Sequence, residues 1–384
     1  MFHVVTGVIG LYVVWRFIWP LPWGRTGKAL LATLLLLVAE HHLITRTFFG
    51  TMASPEVPSV VLVALGWAFG TLILLAMLLL VKDLVGVLCF VFSEKLSLIL
   101  LWAPGLRYGI GGVAVVLAGV GVWEAVRVPQ VKTIEIVLPR LPQEFDGFRI
   151  VQLTDLHASR LLQAPWMEAV VAKANALNPD LTVITGDLTD GTPAARAADV
   201  RPLKNLAARN GVFAIPGNHE YYVDYVSWLS ALDQLGLRLL LNEHVTITRD
   251  GRNLVLAGIT DRTASVFGQP QPDVDAALAG APKADPVILL SHRPTGAALN
   301  ARAGVDLQLS GHTHGGQILG AHVLAEWSNE GFVSGQYQVD GMRLYVSNGT
   351  GLWNGFPIRL GRPSEITQIV LRSAKATGAP ANLS

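Results

Sequence analysis

The chain has 384 residues, 29 Lys and Arg against 28 Asp and Glu, a net charge of +1, and only 15% charged residues, where soluble domains average about 25%. That balance, with no basic stripe interleaved with aromatics, excludes nucleic acid as the main partner, because neutralising phosphates needs clustered Lys and Arg. The single cysteine, Cys89, excludes an intrachain disulfide.

The charge deficit is uneven. Residues 1–130 hold eight Lys or Arg and five Asp or Glu, and the rest has an ordinary globular mix. A helix needs roughly 20 apolar residues to cross about 30 Å of hydrocarbon. Four stretches are read as spans: Phe2 to Trp19, Ala29 to Thr45, Val60 to Val81 and Tyr108 to Val126. Trp15, Trp19 and Trp23 fall where an interfacial aromatic belt belongs. A buried bundle in a soluble protein is the plain alternative, but uncharged runs of this length are rare outside membranes. Leu84 to Trp102, broken by Ser93-Glu94-Lys95, reads as an interfacial or re-entrant segment. Arg16, Arg25 and Lys28 flank the first linker, and Lys82, Lys95 and Arg107 the third; the positive-inside rule then puts both linkers in the cytoplasm and the soluble part outside. Glu40, His41 and His42 form a polar cluster at the end of a span, read as lying among the headgroups rather than as an intramembrane site.

From Val128 to Leu141 a connector leads into a first strand. Apolar strand-like runs follow at Arg149 to Leu153, Leu181 to Thr185, Val212 to Ile215, Leu254 to Gly258, Val287 to Leu290 and Val305 to Leu309. Helical patterns lie between several of them, at Pro165 to Leu177 and Tyr222 to Leu235. Alternating strands and helices predict an α/β fold. The last strands, Gly335 to Val339, Arg343 to Ser347 and Glu365 to Leu371, follow without helices and predict an antiparallel edge or a second sheet.

Polar clusters follow these strands: Thr154-Asp155-Leu156-His157, Gly186-Asp187-Leu188-Thr189-Asp190, Gly217-Asn218-His219-Glu220, Ser291-His292-Arg293-Pro294 and Gly311-His312-Thr313-His314. Open α/β sheets place their sites at strand carboxyl ends, so the five loops are expected to converge. Carboxylate, imidazole and amide oxygens suit divalent Mn, Fe or Zn. Seven potential ligands (Asp155, His157, Asp187, Asn218, His292, His312 and His314) exceed what one ion needs and suit two ions sharing a carboxylate, with Asp187 the natural bridge.

In order and type the five blocks resemble the calcineurin-like metallophosphoesterase superfamily, whose signature runs D-x-H, G-D-x-x-D, G-N-H-E, H and G-H-x-H. The segment from Val346-Ser347-Asn348-Gly349 to Pro357-Ile358-Arg359-Leu360-Gly361-Arg362-Pro363-Ser364-Glu365-Ile366 further resembles its bacterial YkuE-like branch, which often carries membrane segments. The resemblance implies N-terminal transmembrane helices followed by an α/β/β/α sandwich. The organisation expected is a membrane region over 1–127 with about four spans, a catalytic domain over 128–373 and a flexible tail over 374–384. It also implies one metal held by Asp155, His157, Asp187 and His314, and another by Asp187, Asn218, His292 and His312. A metal-activated hydroxide would attack phosphorus, and His219, not a ligand, would be catalytic, giving a proton to the leaving oxygen or stabilising charge on the phosphate. Asp190 and Glu220 would orient ligands from behind or cap helices, with a structural role favoured. Arg293, Arg359 and Arg362 are weighed equally as phosphate grips and as solvated or salt-bridged arginines.

The function expected is hydrolysis of a phosphomonoester or phosphodiester at the membrane surface, with a lipid-linked or envelope substrate as the specific version. Gly351 to Phe356 would line an acyl-chain entry or pack on the last sheet. The location expected is a bacterial inner membrane with the catalytic domain extracytoplasmic and membrane lipids as partners. A non-enzymatic scaffold or sensor with a vestigial site is the alternative, and it would be expected to have lost ligands; a transporter accessory domain would need more spans.

Overall fold

The computed structural model describes residues 2–52 and 54–374; of the expected tail, only Ala374 falls among them. The chain forms two compact units. The helical unit runs up to Ala125 and also takes in Asn354–Leu360; the second unit comprises Val126–Trp353 and the chain from Gly361.

In the helical unit, Ser59–Cys89 and Pro104–Val126 are each long and apolar enough to cross a membrane. The second expected span is two helices, Arg25–Ala39 and His41–Phe49, meeting at 58°. The first runs Phe2–Ile18, with a π-helical last turn from Val14. Leu84 to Trp102 is not one interfacial segment. Its first part continues the long helix to Cys89, and Ser93 then caps a new helix, Glu94–Trp102, by accepting from Leu96 N. Arg16 donates to both Asp83 carboxylate oxygens at 2.6 Å, Lys82 Nζ lies 2.5 Å from Oδ1, and Tyr12 donates at 3.1 Å. One carboxylate thus ties the ends of the first and the longest helices. Glu40 accepts from Thr6 at 3.3 Å. His42 is buried and its Nε2 bonds the Gly355 carbonyl. Segment 354–360 therefore packs among these helices, not on a sheet. Phe356 meets Phe69 edge-on at 5.4 Å, and Arg359 N donates to Gly121 O at 2.9 Å. Gly121 is needed for this approach, since a Cβ there would lie 2.4 Å from Ile358 Cγ1.

The second unit holds twelve strands: β1 (Gln130–Leu138), β2 (Arg149–Leu153), β3 (Leu181–Thr185), β4 (Val212–Ile215), β5 (Arg238–Leu239), β6 (Glu243–Arg249), β7 (Arg252–Gly258), β8 (Val287–Leu290), β9 (Leu307–Ser310), β10 (Gly335–Val339), β11 (Met342–Val346) and β12 (Glu365–Ser373). They form two six-stranded sheets, ordered β1-β12-β2-β3-β4-β5 and β10-β11-β9-β8-β7-β6. Alternation along each strand builds the layers. Ile150, Leu181, Val183, Leu254, Leu256, Ile288 and Leu290 join one core, together with strand residues from both sheets. Val151, Leu153 and Ile184 face the opposite way, onto Met167 and Val170 of helix Ala164–Ala176 and Trp228 of helix Tyr225–Gln234. Val255, Ala257, Val287 and Leu289 face outward on the second sheet, against Ala277 and Ala297. The result is an α/β/β/α sandwich. Of the late strands, β10 and β11 pair antiparallel at the edge of the second sheet, while β12 enters the first sheet between β1 and β2. The helix expected over Tyr222 to Leu235 breaks at Asp224, whose backbone is left-handed (φ 52) and whose carboxylate caps Ser227 N at 3.3 Å.

Candidate metal centre

The five loops leave the carboxyl ends of β2, β3, β4, β8 and β9 and converge. Asp155, His157 and His314 each present a ligand atom within 4.8 Å of one another, and so do Asp187, His292 and His312. A third such group, His157, Asp187 and His219, overlaps both sets. Asp187 lies at the middle: its Oδ2 is 3.2 Å from His292 Nε2, 3.7 Å from His157 Nε2 and 4.0 Å from His219 Nε2. Its Oδ1 accepts from His219 N at 2.9 Å. Gly217 must lack a side chain here, because a Cβ would lie 2.2 Å from Asp187 Oδ1.

The backbone is bent to aim these groups. Asp155 (φ 53), His157 (φ 45), Asp187 (φ 52), His312 (φ 68) and His314 (φ 50) all lie in the left-handed region, which costs a non-glycine residue about 1–2 kcal/mol. Such outliers collect at functional sites because the surrounding fold over-determines them. Glu220 provides part of that support. Fully buried, it accepts from the backbone nitrogens of Gly217 (2.7 Å), Asp187 (3.1 Å), Leu188 (2.7 Å) and Thr189 (3.2 Å), fixing the loop that carries Asp187. Its expected structural role is what its contacts describe.

Asp190 does more than shape its loop. Its Oδ1 accepts from His157 Nδ1 at 3.1 Å and from His219 Nδ1 at 2.5 Å. His292 Nδ1 donates to Thr185 O at 2.8 Å. The far nitrogens of His157 and His292, both Nε2, are therefore turned toward Asp187, buried and without a hydrogen-bond partner. Buried polar atoms rarely stay unpaired. Two imidazoles held by Nδ1 with Nε2 bare beside a carboxylate fit a divalent cation, the arrangement in which outer partners fix a ligand's tautomer.

Charge follows the same geometry. Burial pushes His292 down, but the Asp187 carboxylate outweighs it and raises the ring to about 10. Burial likewise opposes protonation of His219, and Asp187 and Asp190 raise it to about 9. Burial raises Asp187, yet His292 and His219 hold it well below the usual range. His312 is driven well down by burial, then by His292 and Arg293.

Arg293 is neither a solvated nor a simply paired arginine. It donates to Asp261 at 2.8 Å, to Asn218 Oδ1 at 3.0 Å and to His312 Nε2 at 2.6 Å. The amide and imidazole expected at the second ion thus meet at one guanidinium. Arg359, in segment 354–360, and His41 and His42, in helix His41–Phe49, all belong to the helical unit. A signal for Arg293 existed in its place directly after His292. Asp190 was recognisable as a motif residue, but its double role depends on two rings from separate loops.

Residues 148–316 match the family described as calcineurin-like phosphoesterase. A curated relative in Bacillus subtilis, the uncharacterized metallophosphoesterase YkuE, is 32% identical over 241 residues, 61% of this chain and 82% of its own length. The chain belongs to the calcineurin-like phosphoesterase family. The chain is also 39% identical, over 274 residues, to the bovine transmembrane protein with metallophosphoesterase domain, covering 68% of the present chain but only 61% of the bovine one. Among solved structures, a dimetal phosphatase from Danio rerio aligns with 53% of the chain and 88% of its own, at 14% identity and a TM-score of 0.34. Metallophosphoesterases of this family act on phosphate esters and bind divalent metals, and this one carries His and Asp clusters able to hold them. With relatives named transmembrane and two apolar helices of spanning length, it carries candidate membrane spans before its catalytic unit.

Proposed function

We propose that the protein hydrolyses a phosphomonoester or phosphodiester at a membrane surface, using two divalent cations bridged by Asp187. Asp155, His157 and His314 would complete one ion's set, and Asn218, His292 and His312 the other's. The observation that carries this reading is Asp187 itself, a buried carboxylate faced by His157 and His292 nitrogens that bond nothing else. Two cations held there would activate water and neutralise charge on phosphorus oxygens. The protein's own groups supply the rest. His219, whose ring Asp187 and Asp190 raise against burial in the metal-free protein, is placed to give a proton from Nε2 to the leaving oxygen. Asp190 holds that ring by Nδ1. Asn218 and His312 would turn from Arg293 to their cation, leaving a guanidinium still tied to Asp261 and free to grip phosphate. The scaffold or sensor alternative gains nothing, since every expected ligand side chain is present and converging.

Two observations support a membrane substrate and an outward-facing site. The spans keep the enzyme at the bilayer. Within the helical unit, Arg16, Lys82 and Asp83 gather at one end, joined in sequence by Arg25, Lys28, Lys95 and Arg107. Segment 354–360 packs near the opposite end, on Gly121, and the positive-inside rule puts the basic end in the cytoplasm.

The test is turnover by the full chain in detergent with Mn²⁺, on an aryl phosphomonoester and an aryl phosphodiester, beside Asp187→Ala. Metal-dependent turnover that the variant lacks is expected. No turnover of either ester by the parent would refute hydrolysis, and an unimpaired variant would refute the cage.

A further inference from the structure

Just past His314 the catalytic unit exposes apolar side chains in a run. Leu319 is 61% exposed, Val323 56%, Leu324 73% and Trp327 85%. The last three belong to helix His322–Ser328, which buries none of its residues. Singly exposed apolar residues are ordinary, but a contiguous group marks a contact surface. The helix is nonetheless held in place. His322 N donates to Ile318 O at 3.0 Å, and Gly316, two residues from His314, lies against His322.

The chain itself says what covers this group. Ile318 forms an antiparallel bridge with Gly361 in the catalytic unit. The residue bonded to Gly361 is Leu360, which belongs to the helical unit and packs beside Gly121. Gly121 lies five residues before the end of helix Pro104–Val126, roughly 8 Å along its axis at 1.5 Å per residue. Segment 354–360 thus meets this candidate span near its end, the part of a spanning helix that approaches the headgroups. The exposed run therefore starts one strand bridge from the peptide bond, Leu360–Gly361, that joins the catalytic unit to the helical unit. Trp with Leu and Val is also the composition that settles at bilayer interfaces.

We propose that Leu319, Val323, Leu324 and Trp327 form a bilayer contact, seated in the headgroup and upper acyl region, beside the metal centre. Phosphoesters of membrane lipids would reach the centre along it. This second statement rests on the hydrolytic reading; the contact itself does not.

The contact is tested on the full chain in proteoliposomes of phosphatidylethanolamine and phosphatidylglycerol, in a Cys89→Ser background with Leu324→Cys carrying an environment-sensitive fluorophore. Quenching by nitroxide-bearing lipids together with shielding from aqueous iodide is the expected result. Free access to iodide would overturn the contact. Shielding from both quenchers would also overturn it, showing that protein, such as a second copy of the chain, covers the helix. Lipid delivery is tested with Leu324→Asp/Trp327→Asp on phosphatidic acid in phosphatidylcholine vesicles and on a soluble aryl phosphate. A loss of at least tenfold on vesicles with the soluble rate unchanged is expected. Equal rates or equal losses on both would overturn delivery. If the parent turns over neither substrate, the hydrolytic reading and delivery with it fail, while the quenching result still stands.

Discussion

Replacing Asp190 with Asn tests how the site divides its labour. The carboxylate is fully buried and one oxygen serves two rings, His157 at 3.1 Å and His219 at 2.5 Å. Asn keeps an acceptor of the same shape but removes the charge. At His157 the loss is that of an outer partner to a metal ligand, about 10- to 100-fold in metal affinity. At His219 it is part of the advantage of a positioned acid, which is about 10² to 10⁴ in rate. Because an oxygen remains, the lower figure applies: about 100-fold in kcat, or ~2.7 kcal/mol at 1.36 kcal/mol per decade. Titrating Mn²⁺ separates the effects, since excess metal restores occupancy but not proton donation. The assay compares an aryl ester, whose leaving group departs with little help, with an alkyl ester, which needs the proton. The variant should lose about 100-fold on the alkyl ester at saturating Mn²⁺ and distinctly less on the aryl ester. Its rate should also fall at lower pH on the alkaline side, because His219 loses the Asp190 carboxylate, which raises its pKa and lies outside the proposed cation sets. Full recovery with excess Mn²⁺, with the same loss on both esters, would refute the assignment of His219 as the acid.

Further outcomes follow from the same geometry. Glu220→Ala strands four buried backbone N–H groups, each worth about 1–3 kcal/mol when orphaned; thermal melts of the metal-free protein should show a loss above about 3 kcal/mol, and an unchanged Tm would contradict the keystone role. His292, raised to about 10, must shed a proton to bind a cation; metal affinity should rise with pH through neutrality, and calorimetry in buffers of different ionisation enthalpy should detect proton release. For the metal-free fold the sign is opposite: this raised pKa stabilises fully below 6.5 and the contribution is lost as pH rises through about 10. Gly121→Val drives a side chain into Ile358, whose Cγ1 is 2.4 Å from the Cβ position; overpacking costs about 1–3 kcal/mol, the Tm in detergent should fall, and Ile358→Ala should recover part of it.

Much of the catalytic unit was legible because its strands are short apolar runs ending in chemically conspicuous residues. Asp155, His157, Asp187, His292, His312 and His314 needed only the rule that strand ends converge. Other features were written in the sequence but in a quieter form. Strand β6 and the β10–β11 hairpin are each closed by Asp-Gly, at Asp250-Gly251 and Asp340-Gly341, with positive φ at all four residues; that dipeptide is a strong hairpin signal. The bend between Ala39 and His41 was harder, since an apolar run fixes a span's length and not its straightness. Least legible was segment 354–360. Its apolar residues fit an acyl entry, a sheet or a helix groove equally well, and only Gly121 and His42, hundreds of residues away in sequence, select the last.

Five of the seven proposed ligands hold left-handed backbone. At about 1–2 kcal/mol each, this strain is comparable with the whole margin of about 5–15 kcal/mol that keeps a domain folded. Glycine at those positions would relieve it, so a chain with this fold and no chemistry to perform would be more stable without its ligands. The folded protein carries that tension before any ion arrives. A cation then meets side chains already aimed, and little of its binding energy is consumed in ordering them.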